Sequence, residues 1–147
     1  MKDPWKKLLA NVKISGRRGH ERELKELKGS RTRYSIEVTS EDLKNIFEKQ
    51  EGRCYWFNID IEPQNLFVPY HPLAPSVDRL YTDKGYAKDN IVICSRMANL
   101  GRGVISPEGF AEVVSTIYTQ VHKDPFHVKE LQWKVFELEE EKKEEIK

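Results

Sequence analysis

The chain has 147 residues, 38% of them hydrophobic and 33% charged, with a formal net charge of +1. That suits one domain with one core and a heavily solvated surface. No apolar run approaches the ~18 residues of a membrane span, and Met1-Lys2-Asp3-Pro4-Trp5 lacks the apolar centre of a signal peptide, so a cytoplasmic location is expected. The small net charge hides an asymmetry. Residues 1–33 hold eleven Lys or Arg against four acids, a net +7, whereas 137–147 hold six Glu against three Lys. A basic head of this kind is an electrostatic footprint for phosphates.

In chain order, Asp3 before Pro4 reads as an N-cap followed by a first-turn proline. Trp5, Leu8, Leu9 and Val12 then recur at helical spacing. Ser15-Gly16 and Gly19 are expected to break or loosen that helix, with a second helical stretch from Glu21 to Leu27. Tyr34, Ile36 and Val38 alternate as in a short strand. Thr39 and Asp42 have the spacing of a capping box, opening a helix whose apolar face is Leu43, Ile46 and Phe47. Cys54-Tyr55-Trp56-Phe57 reads as a compact aromatic strand or turn, followed by a polar loop over 58–75. Val77–Leu80 and Asn90–Cys94 read as two strands around the turn Thr82-Asp83-Lys84-Gly85. A helix follows from about Ser95, closed by Gly101-Arg102-Gly103. Ser106-Pro107 starts another, whose stripe of Phe110, Val113, Val114, Ile117 and Val121 is expected to be core. Asp124-Pro125 starts the last helix, with Val128, Leu131, Trp133 and Phe136 in front and an unpackable charged end. Cys54 and Cys94 are too few for a four-thiolate zinc site and read as two part-buried thiols.

The chemistry sits in the centre. Ser76-Val77-Asp78-Arg79-Leu80 is followed by Gly85-Tyr86-Ala87-Lys88-Asp89-Asn90, and then by Asn99 with Arg102. An Asp leaving one strand and an amide oxygen on the following helix are hard ligands that can share one divalent cation. An Asn between them can brace the connecting loop through its backbone.

These residues, in this order and spacing, resemble the HNH or His-Me finger endonucleases, in a branch common in phages and mobile elements. His71-Pro72-Leu73-Ala74-Pro75 before the motif, and Gly52-Arg53-Cys54-Tyr55 upstream, look like the same branch. The resemblance covers residues 71–103, more weakly from 39, and nothing after 104. It implies an α+β fold with a central ββα-metal finger surrounded by N- and C-terminal helices. The expected organisation is a basic arm at 1–38, a nuclease core at 39–122 and a C-terminal helix with acidic tail at 123–147. It further implies Mg²⁺ or Mn²⁺ held by Asp78 and Asn99, with Asn90 bracing the loop. Phosphate contacts fall to Arg17, Arg18, Arg31, Arg33, Arg79, Lys84, Arg96 and Arg102. The expected partner is DNA, most simply a duplex, bound by a monomer or weak homodimer. Cys94 stands where many relatives carry a zinc cysteine, but Phe57 occupies the partner position of Cys54, so no structural zinc is expected.

Arg79 is the departure. The family places a general-base His there, and an arginine of pKa above ~12 cannot deprotonate water at neutral pH. Three explanations stay open. His71 supplies the base; or a metal- or phosphate-assisted water needs none, with Arg79 gripping phosphate; or catalysis is lost and only nucleic-acid binding persists. A protein-interaction domain docking through the tail from Glu137 is the remaining alternative.

Overall fold

A computed structural model of the chain describes residues 2–26 and 35–146. Tyr34, Arg31 and Arg33 lie outside them. The elements are α1 (Pro4–Glu26), α2 (Ser40–Lys49), a 3₁₀ turn (Pro63–Phe67), β1 (Pro75–Arg79), β2 (Ile91–Ser95), α3 (Arg96–Arg102), α4 (Pro107–Lys123) and α5 (Phe126–Glu145). The class is mixed α and β. Among the described residues no helix is long and apolar enough to cross a membrane.

Local signals set most boundaries. Asp3 Oδ1 accepts from the backbone N–H groups of Trp5 and Lys6, capping α1. The capping box at α2 is complete: Asp42 N–H donates to Thr39 Oγ1, and Thr39 N–H donates to Asp42 Oδ2. Ser95 and Ser106 cap α3 and α4 by accepting from Ala98 and Gly109. The expected break in α1 does not occur. The helix runs unbroken through Gly16, which is buried beside Ile36 and Tyr86. The expected strand around Ile36 reduces to a single parallel bridge, Ile36 to Tyr86.

The sheet has two antiparallel strands, paired from Pro75–Ser95 to Arg79–Ile91. Such a ribbon is marginal alone, so other elements complete it. Every residue of β2 is buried. Its free edge is closed by Gln50, whose side chain donates to Ile93 O at 2.6 Å and accepts from Ile93 N–H at 3.0 Å. The free edge of β1 is met by Asn99, which donates to Val77 O at 3.2 Å. α1 lies against β1, α2 and the 3₁₀ turn. Its Leu8 and Val12 are buried, and each such side chain contributes about 1.5–3 kcal/mol as an upper bound.

The chain divides into two compact units, 1–110 and 111–147. The first unit includes α1, and the division falls inside α4. The expected core stripe of α4 is also corrected. Phe110 is buried against Trp56 and Phe57, but Val113, Ile117 and Val121 are exposed. On α5, Val128, Leu131, Trp133 and Phe136 are exposed as well.

Candidate active site

Asp78, near the end of β1, is buried at 6% exposure. Its Oδ2 accepts two hydrogen bonds, from Trp56 Nε1–H at 2.8 Å and from Arg102 Nη1–H at 2.7 Å. Arg102 closes α3 and is 1% exposed. Its guanidinium also donates to the carbonyls of Arg79, Leu80 and Ile105 and lies 5.2 Å from the centre of the Trp56 ring. Arg102 is therefore not a phosphate contact. Four of its donations go to Asp78, to the chain leaving β1 and to the chain after α3. An isolated charge buried this deeply is costly, so each partner requires the other.

Asn99 projects from α3 back to β1. Its Nδ2 donates to Ser76 Oγ at 2.8 Å and to Val77 O. Asp78 and Asn99 line one cavity of about 190 Å³, together with Arg79, Tyr86 and residues of α1 that include Asn11 and Ser15. Neither Asp78 Oδ1 nor Asn99 Oδ1 accepts a hydrogen bond from a described residue. The loop between the strands is pinned by Asn90, buried at 3% exposure. Its Oδ1 accepts from Tyr81 N–H, and its Nδ2 donates to the carbonyls of Tyr81 and Gly85. One amide thus ties both ends of the loop, fixing where β1 ends.

Arg79 lines the cavity, but its Nη1 donates to the carbonyls of Thr82 and Lys84, and its guanidinium sits 5.1 Å from the Tyr86 ring. Burial raises the pKa of the Tyr86 hydroxyl above its ordinary value, outweighing the opposing pull of Arg79. His71 does not line the cavity. Its Nδ1 accepts from Leu73 N–H at 3.1 Å, a bond that locks a turn of the preceding loop. Lys84 is exposed, with Nζ 4.9 Å from the Tyr81 ring. Arg17 and Arg18 are exposed on α1, and Arg96 lies over Tyr70 at 5.3 Å.

The cysteines are fully buried, not part-buried, and unbonded to each other. Cys54 Sγ accepts from the N–H groups of Phe57 and Ser95. Burial, then the nearby charge of Asp78, pushes the Cys94 thiol far above its ordinary value, which keeps it neutral. Packed rings fill this end of the unit: Tyr55 on Trp56, and both Trp56 and Phe57 on Phe110.

A divalent ion can be tested against these donors. Among the described residues no three His, Cys, Asp or Glu side chains converge, so a closed structural site does not fit. A carboxylate and an amide, each with an oxygen that accepts no hydrogen bond from a described residue, are a donor set compatible with an open one. Mg²⁺ dehydrates reluctantly and is commonly held by one or two protein oxygens, completed by water and substrate phosphate. Trp56, which helps aim the carboxylate, had no motif signal and reads as one ring in an aromatic cluster. Arg102 stood in the motif as the basic residue after Asn99, but its charge pointed to phosphate and not to Asp78. No family model, curated protein or solved structure matches the chain.

Proposed function

We propose that the chain is a metal-dependent endonuclease of the HNH type, hydrolysing phosphodiester bonds of DNA. The observation that carries the reading is that the buried Asp78 and the half-buried Asn99 line one cavity, at the junction of strand, braced loop, strand and helix, each with a side-chain oxygen that accepts no hydrogen bond from a described residue. Mg²⁺ or Mn²⁺ bound there supplies Lewis-acid stabilisation of the charge that develops on the leaving oxygen. The remaining work belongs to the chain. Asp78 and Asn99 offer the oxygens. Trp56 and Arg102 hold the carboxylate in one orientation, and Asn90 fixes the loop beside it. Among the described residues lining the cavity none is left to take a proton from water: Asp78 is assigned to the metal, a guanidinium such as that of Arg79 is no base at neutral pH, and the raised Tyr86 stays protonated. His71, spent on its turn, lies off the cavity. Of the routes open in the sequence, the geometry favours proton transfer from water to a phosphate oxygen of the substrate.

A second reading, a binding module without catalysis, has one observation in its favour. Arg102, 2.7 Å from Asp78, offsets the negative charge that a cation would seek. Supercoiled plasmid incubated with Mg²⁺ or Mn²⁺ separates the two. A nuclease nicks or linearises it, stops in EDTA, and slows in Asn99→Ala by at least the roughly 10–100-fold that even supporting groups around a metal cost. Salt-sensitive retention of DNA without cleavage under either metal selects the binding module.

A further inference from the structure

The cavity at Asp78 and Asn99 adjoins a larger recess of about 640 Å³. Asn11, Ser15, Pro75, Ser76 and Asn99 line both. The recess is cationic: Lys7 and Arg18 from α1 and Arg96 from α3 line it, and among the described residues that line it there is no Asp or Glu. Lys7, Asn11, Ser15 and Arg18 follow at steps of three and four residues, so they share one face of α1. That face flanks the buried Leu8 and Val12, which fix it toward the site.

The loop wall of the recess carries Tyr70, 83% exposed with its ring beside Arg96. Tyr70 holds φ at +58°, a left-handed backbone that a residue with a side chain rarely adopts. The next residues are tied to the start of α3. Arg96 N–H donates to Ala74 O at 2.8 Å, Met97 N–H donates to Pro72 O at 3.0 Å, and His71 closes the turn between. The fold thus meets a backbone cost and holds an aromatic face outward, against a guanidinium, beside a cationic channel that ends at the candidate site.

Cations along a groove with an aromatic platform are what an unpaired nucleic-acid strand needs: partners for its phosphates and a ring for a base. In a duplex both faces of each base are covered by neighbours, so a fixed tyrosine ring is of use to a base that has left the stack. We infer that this recess holds an unpaired strand, with a base on Tyr70 and phosphates against Lys7, Arg18 and Arg96, feeding the adjoining phosphodiester to Asp78 and Asn99. The inference rests on reading this face as a nucleic-acid site and names its substrate: a single-stranded or locally opened chain, where the family resemblance pointed to a closed duplex.

The test is fluorescence anisotropy in EDTA, where catalysis plays no part. The full chain is titrated into labelled oligothymidylate, oligouridylate and a blunt duplex, each of about twelve residues per strand, within the span such grooves cover. At least one strand binds more tightly than the duplex. Tyr70→Ala loses roughly tenfold or more in affinity, the scale of one lost base stack, while Tyr70→Phe keeps it. Arg18→Ala lowers the slope of log affinity against log salt by about 0.7 and leaves the preference for strand over duplex unchanged. Duplex binding equal to or tighter than both strands overturns the inference. So does a Tyr70→Ala chain that binds as the parent does, or a failure of all three probes to bind. Strand binding through Tyr70 with no metal-dependent cleavage of that strand or of plasmid keeps this inference and sinks the nuclease. Plasmid cleavage with a neutral Tyr70→Ala does the reverse.

Discussion

Arg102 is held on several sides. Its guanidinium serves a carboxylate, three carbonyls and an aromatic ring while 1% exposed. Removing either partner of the Asp78 pair strands the other charge in the interior, which costs about 3–5 kcal/mol. Arg102→Met and Asp78→Ala are therefore each expected to lower stability by that amount in urea melts. The two losses combine to less than their sum in the double variant, because the partners share one interaction. Additive losses would show that the pair is not coupled. Asp78→Ala is accordingly a poor probe of metal binding, since a lost activity there reports a lost fold. Asn99→Ala removes a half-buried amide with no charge behind it and separates the two effects more cleanly.

Among the elements, the loop from Tyr81 to Asn90 depends on close approach. A Cβ on Gly85 would lie 2.7 Å from both the carbonyl oxygen and Oγ of Ser35. Tyr86 N–H donates to that same carbonyl at 2.8 Å, so the backbone there cannot retreat without losing the bridge. Gly85→Ala should destabilise the chain and loosen the loop that Asn90 holds. Gly16 is the contrast. Its added Cβ would meet Ile36 at 3.4 Å and Tyr86 at 3.7 Å, ordinary contact distances, inside a continuous helix. Gly16→Ala is expected to stabilise by about 0.5–1 kcal/mol through helix propensity and a less free unfolded chain; a loss in thermal melts would reveal strain that these distances do not show. The cap of α2 gives a pH dependence. The Thr39 N–H, then Lys88, holds the Asp42 carboxyl below its ordinary value of 3.8. A lowered folded value means the stabilisation is present above the ordinary value and lost as pH falls through the folded one. Melts of Asp42→Asn against the parent should differ at neutral pH and converge in acid below 3.8.

At the scale of the whole molecule, the two units divide the labour. Residues 1–110 hold the sheet, the cavity and the cationic recess. The helix α5 contributes no buried residue. Ending the chain at Lys123 should then leave the melting of the first unit within about 0.5 kcal/mol of the parent, the range of surface changes generally. A larger loss would show that α5 supports the first unit. The same deletion removes the acidic tail and leaves the basic head, so it also tests whether the tail competes with nucleic acid for that head. If it does, DNA retention rises at low salt and converges with the parent at high salt.

What the sequence determined by itself was local. Caps at Asp3, Thr39 and Ser106, the strand–turn–strand–helix order, and Asn90 as the loop brace all follow from interactions between residues about two to ten apart, which spacing and residue type encode directly. The tertiary structure decided which charges are available. Asp78 and Arg102 lie 24 residues apart in sequence, and nothing in either neighbourhood marks Arg102 as an interior residue. The exclusion of His71 from the cavity, the aim of the Asp78 carboxylate and the placing of Lys7, Arg18 and Tyr70 on one recess are of the same kind. A motif specifies the groups; packing between distant segments sets which of their atoms stay unpaired, and the chemistry depends on those atoms.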